Sequence, residues 1–155
     1  MPIEYSRVSR TGAPVLDLSA YADGDAIGGC LTFSNAVRFG GGSGMIQSLV
    51  VSDAANQQAV LDVVFFNEMP TETTFTDQDE LDIGAADLQK IIGVVPIAEA
   101  DYADLKNNAA AAKNNVDLSF ALASGINLYA CIVSRGTPTY AAADDLQLRI
   151  NIIQD

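Results

Sequence analysis

The sequence predicts an all-β protein: an antiparallel β-sandwich or jelly roll of about eight strands, with short helical turns and an N-terminal arm. Three observations lead there. Short apolar runs recur along the chain, cut by Gly, Asn and Asp. Several alternate apolar and polar residues, the pattern of a strand with one face in a core and one towards water. No helical pattern is long enough to sit between them, which sets a doubly wound α/β sheet aside. At 155 residues, with 49% apolar and 18% charged residues, the chain reads as one globular domain.

Residues 1–14 read as an arm. They carry Arg7, Arg10 and the turn residues Thr11-Gly12-Ala13-Pro14, with little apolar periodicity. Residues 15–155 read as the sandwich domain. Its run from Ile27 to Phe33 holds two glycines, which predicts a bulge or close packing. The stretch Gly40-Gly41-Gly42-Ser43-Gly44 reads as a flexible loop between strands. A phosphate loop would need a following Lys and a helix; here Met45 to Val51 follows, a strand-like run apolar on both faces. Ile126 to Val133 is similar. Both predict a strand covered on two sides or lying at a subunit interface.

In Ala59 to Phe65 the odd positions form one unbroken apolar face. Asp87 to Ile92 predicts one or two helical turns stopped by Gly93, and Ile91 to Ile97 another strand-like run. Ala98 to Leu105 predicts two further helical turns. Asn107 to Asn115 brackets four alanines with Asn pairs and reads as a loop. Val116 to Leu122 and Leu146 to Ile152 are apolar at even positions, the clearest strand signals in the chain.

Composition excludes several chemistries. The chain has no His, which removes Ser-His-Asp and Cys-His catalysis, His-ligated metals and the commonest general base near neutral pH. Cys30 and Cys131 lie in apolar, strand-like surroundings and read as small buried hydrophobes. They are too few for a zinc site, and whether they are close in space is left open. The cluster Asp77, Asp79, Glu80 and Asp82 does not match a calcium loop: counted from Asp77, the fifth position is Leu81, the sixth Asp82 and the twelfth Leu88. It reads as a solvated acidic loop, with a weak, irregular Ca²⁺ site the sharper alternative. Paired carboxylates could serve a glycosidase, but there is no Trp to stack on sugar and the five Tyr are scattered. No catalytic residue, metal or cofactor is expected, and no enzyme.

Eight Lys and Arg stand against twenty Asp and Glu, a net charge of −12. Such a chain repels nucleic acid and anionic membrane, so neither is an expected partner. No apolar run is long enough to span a bilayer. The opening Met1-Pro2-Ile3-Glu4-Tyr5 lacks a leader pattern, so synthesis in a cytoplasm without the usual export is expected. Eleven acids and one base, Lys90, fall between Asp62 and Asp104. Arg38, Arg135 and Arg149 read as local charge balance, with Arg135 also placed to meet a partner carboxylate.

The run from Val15 through Asp17, Tyr21 and Asp23-Gly24-Asp25 to Gly28-Gly29 resembles the opening of a group of small structural proteins of tailed bacteriophages. The ending is similar too: Leu128-Tyr129, then Ser134-Arg135-Gly136-Thr137-Pro138-Thr139-Tyr140, then Asp145-Leu146-Gln147-Leu148 and Ile153-Gln154-Asp155. The resemblance covers Val15 to Asp155 and implies a capsid decoration, or cement, protein, often of jelly-roll type. It implies a homodimer or homotrimer bound to the major capsid protein, on the outer capsid surface of the virion, stabilising the mature shell. It carries over no catalytic residues. On this reading Arg7 and Arg10 are the expected capsid contacts and the Asp62–Asp104 region faces outward. The alternative is a tail or spike recognition module that binds a host glycan or protein.

Overall fold

A computed structural model describes residues 5–155. Ten strands form two antiparallel sheets packed face to face. In the larger sheet β1 (Ser6–Gly12) pairs with β10 (Leu146–Gln154), and β10 pairs with β3 (Ser43–Asp53). The far edge of β3 is shared along its length by β7 (Ala109–Lys113) and β8 (Leu118–Ala121). Short β6 (Tyr102–Asp104) pairs with β7 and ends the sheet. The smaller sheet runs β2 (Ala26–Phe33), β9 (Leu128–Ser134), β4 (Leu61–Phe66) and β5 (Ile91–Ile97). The antiparallel sandwich expected from alternation is what the chain forms.

Alternation decides which residues fill the space between the sheets. Leu146, Leu148, Ile150 and Ile152 of β10 are buried, while Gln147 and Arg149 point out. Leu61, Val63 and Phe65 of β4 meet them from the other sheet, as the odd positions of that run predict. The glycines of β2 do mark a bulge, between Ile27 and Leu31. Gly28 there has φ +68°, and a Cβ would lie 2.6 Å from Pro14 Cβ, so the position requires glycine.

Five expectations are corrected. Of the expected arm, residues 1–4, with most of the leader reading, lie outside the described residues; Ser6–Gly12 is a paired edge strand rather than a free arm. Its periodicity is masked because Arg10 occupies a position on the inward side. The helical turns expected over Ala98 to Leu105 reduce to a single 3-10 turn at Glu99–Asp101, followed directly by β6. The alanines of the expected Asn107–Asn115 loop are β7, with Ala109 and Ala111 buried. With β1, β6 and β7 recognised, the described strands number ten rather than about eight. The helical turns expected over Asp87 to Ile92 and stopped by Gly93 are a single turn further upstream, α1 (Ala85–Leu88), and Ile91, Ile92 and Gly93 already belong to β5.

Of the two runs apolar on both faces, Ile126 to Val133 has a physical reason within the chain, whereas Met45 to Val51 lies in β3 of the larger sheet and has no second cover among the described residues. On the outside of the smaller sheet Val64, Phe66, Cys131 and Val133 form a second buried cluster. Residues 67–90 cross over it, and Phe75, Leu81 and Ile83 pack down on it. The smaller sheet is therefore covered on both sides by its own chain, whereas no described segment crosses the outer face of the larger sheet, which is bare among the described residues.

Candidate interaction surface

The bare face is laid out by register. Arg7, Ile153, Met45 and Ser119 form one row across β1, β10, β3 and β8. Ser9, Asn151 and Ser48 form the next, and Asn151 Nδ2 donates to Ser48 Oγ at 2.8 Å. Thr11, Arg149, Val50 and Ala112 form a third; Gln147, Ser52, Ala110 and Ala103 a fourth. These rows contain no Asp or Glu, in a chain that has twenty. Their charges are two arginines, Arg7 and Arg149, both exposed. Among the described residues neither has a carboxylate within ion-pair distance. The remaining side chains are mostly Ser, Thr and Ala, so the surface is flat.

At the corner near Arg7 the face dips into a groove of about 480 Å³. Tyr5, Met45, Phe120 and Ile153 supply its apolar lining, and Arg7 and Asp155 its charges. Asp155 is hydrogen-bonded by the Ser43 hydroxyl. Gly44 forms part of the groove's floor, and a Cβ there would lie 2.8 Å from Ile153 O.

The opposite side of the sandwich has the reverse character. The covering segment 67–90 exposes Glu68, Glu72, Asp79, Glu80 and Asp82. Two of its acids turn inward and hold it in place. Asp87 is fully buried: its carboxylate accepts from Thr71 N (3.1 Å), Glu72 N (2.9 Å) and Thr73 Oγ1 (2.7 Å), and pairs with Lys90 at 2.9 Å. Burial pushes its pKa up, but the hydrogen bonds from Thr73, Lys90, Thr71 and Glu72 outweigh that and hold it well below the usual carboxylate range. Asp77 accepts from the Tyr21 hydroxyl at 2.8 Å, Gly28 N at 2.6 Å and Asp17 N at 3.1 Å, tying the segment to the loop before β2.

Arg7 and Arg10, expected to act together, lie on opposite sides of β1. Arg7 is on the bare face. Arg10 points inward at the rim, where its Nε donates to Ser34 O at 2.8 Å and Asn35 O at 3.2 Å. Buried Gln154 donates to the same Asn35 carbonyl at 3.0 Å, and Asn35 has φ 54°. Arg10 thus secures the turn after β2. Arg135 binds Asp62 at 2.8 Å and Asp23 at 3.5 Å, the local charge balance expected of it. Arg38 is exposed in the loop between β2 and β3.

Within the acidic cluster Asp77 is taken up by the contacts above, while Asp79, Glu80 and Asp82 remain exposed. Among the described residues no group of three or more Cys, Asp or Glu is arranged to hold a metal ion. Both cysteines are free thiols, Cys131 buried and Cys30 half-buried. Burial pushes Cys131 up to about 12 and Cys30 up to about 11. No described helix is long and apolar enough to cross a membrane.

Sequence reasoning treated Arg149 as charge balance and missed the face it belongs to. The signal was present: Gln147, Arg149 and Asn151 are the outward positions of the cleanest alternating run, and none is acidic. No protein-family model matches the chain, and no curated protein matches it.

Proposed function

We propose that the protein is a virion structural protein: a capsid decoration, or cement, protein. It lies on the outer surface of the phage head and stabilises the mature shell, without catalysis and without a cofactor. The observation that carries this reading is the asymmetry of the two outer sides. One is a sheet face whose four rows carry no acid, with Asp155 alone at its corner groove among the described residues; the other is a clasped segment with five exposed acids. A protein layered between a surface and solvent needs one side that docks and one that stays hydrated. Strand order supports the jelly-roll form of the sandwich. With β6 to β8 counted as one strand, the sheets order as first, eighth, third, sixth and second, seventh, fourth, fifth.

The energetics suit the role. A protein that binds only the expanded shell stabilises that state by mass action. Repetition over a symmetric lattice lets modest contacts add up, and contacts between copies in a dimer or trimer extend this. Cryo-electron microscopy of the intact particle tests the reading. Density for this chain repeated over the outer shell is the expected result; absence from the head overturns it. The groove beside Arg7 favours one second reading, the tail or spike recognition module, which density at the tail alone would select.

A further inference from the structure

We propose that the bare face docks through Arg7 and Arg149 onto a carboxylate-bearing surface of the shell protein, and not onto a second copy of this chain. The inference rests on the decoration reading and names the face and chemistry of its contact.

Charge complementarity argues for it. Arg7 and Arg149 stand on adjacent strands, about 13 Å apart along the strand direction, four residues at roughly 3.3 Å each. Small side chains around Arg149 leave its guanidinium prominent, and Arg7 stands at the lip of the groove, so a partner surface can reach both. A guanidinium binds a carboxylate with two parallel hydrogen bonds, which fixes orientation as well as adding energy. Asp155 shares the groove with Arg7 without reaching ion-pair distance, and the rows around Arg149 hold no acid.

The same facts argue against a second copy. Among the described residues, a two-fold contact between bare faces would bring four guanidinium groups together against only the two Asp155 side chains at the corners, an excess of like charge that disfavours pairing. Contact between the bare face of one copy and the acidic segment of the next is complementary, but it is head to tail and builds an open filament rather than a closed oligomer.

The test uses heads purified from the phage that carries the protein, stripped of it, and full-length protein titrated back. Arg149→Glu is compared with Arg38→Glu, which makes the same charge change in a loop off the face. Melting temperatures are recorded for both, and Arg149→Ala is included as a milder change. Arg149→Glu is expected to weaken binding at least tenfold at low salt, and Arg149→Ala by a smaller factor. Arg38→Glu is expected to change it less than twofold, and wild-type affinity to fall as salt rises. Equal effects of Arg149→Glu and Arg38→Glu in folded proteins overturn the inference while leaving the decoration reading intact. So does a wild-type dimer or trimer that Arg149→Glu converts to monomer in sedimentation, since a second copy would then own the face. Failure of the wild type to bind heads at all removes the decoration reading, and this inference with it.

Discussion

Replacing Phe66 by Ala asks whether segment 67–90 makes a second core or merely drapes over the sheet. Phe65 and Phe66 are consecutive in β4 and point to opposite sides. Phe65 lies in the main core beside Phe33, ring centroids 6.3 Å apart. Phe66 lies under the covering segment with 0% exposure, meeting Phe75 edge to face at 6.4 Å. Burying an aromatic ring removes roughly 150–250 Å² from water, about 4–6 kcal/mol at 25 cal/mol per Å². The methyl group that remains and partial relaxation bring the expected cost of Phe66→Ala to about 3–5 kcal/mol, the same as for Phe65→Ala. In a domain of this size that lowers the melting temperature by roughly 6–20 °C. Urea unfolding at neutral pH measures it. Phe66→Ala costing less than about 1 kcal/mol, with Phe65→Ala above about 3, would refute the covering role of the segment.

Asp87 is held below the usual carboxylate range, so its contribution is complete above the unfolded value near pH 4 and lost as pH falls through its lower folded value. The unfolding free energy should therefore fall below about pH 4, and Asp87→Asn should make that fall shallower in urea titrations at stepped pH. Arg10→Ala should destabilise by about 1–2 kcal/mol through loss of its carbonyl contacts, yet leave the head affinity of the folded protein unchanged in the same titration. Cys30, with its pKa pushed up to about 11, is about one part in a thousand thiolate at pH 8; Cys131 is less. Iodoacetamide at pH 8 should label neither thiol quickly in the native protein and both in urea, read by mass spectrometry. Gly28→Ala places a Cβ against Pro14 at a φ of +68°, and should lower the melting temperature by several degrees in calorimetry.

Where one residue in two meets the core, the chain declares itself. Leu146 to Ile152 and Val116 to Leu122 could be read as strands, with the correct face inward, because their outward residues are polar. β1 could not, because Arg10 takes an inward position at the rim and its partners are carbonyls 24 and 25 residues away. β7 could not, because an alanine run carries no alternation, and its strand form is imposed by pairing with β3 and β6. The bare face was half legible. Alternation in β10 marks Arg149 as outward, but nothing local reveals that β1, β3, β7 and β8 align acid-free rows beside it. Nor does the acidic count between Asp62 and Asp104 reveal that Asp77 and Asp87 turn inward as anchors.

Part of the charge asymmetry follows from architecture alone. Acids in this chain fasten loops. Asp53 accepts from Ala55 N and Gln58 N, Asp145 from Ala141 N and Ala142 N, Asp25 from Ala22 N, and Asp101 from Ala98 N. Strands satisfy their backbone through their neighbours and need no such acceptors, and Asp is disfavoured within them. Acids therefore gather in loops, and the segment lying flat over a sheet, 67–90, becomes the acidic side. Scarcity of acids on the bare face is then half explained without function. The kind of cation there is not. Exposed strand positions that only need solubility take Lys and Glu as readily as anything else. The bare face takes neither: its described cations are Arg7 and Arg149, the side chain suited to rigid, two-pronged contact with carboxylates and enriched where protein surfaces meet.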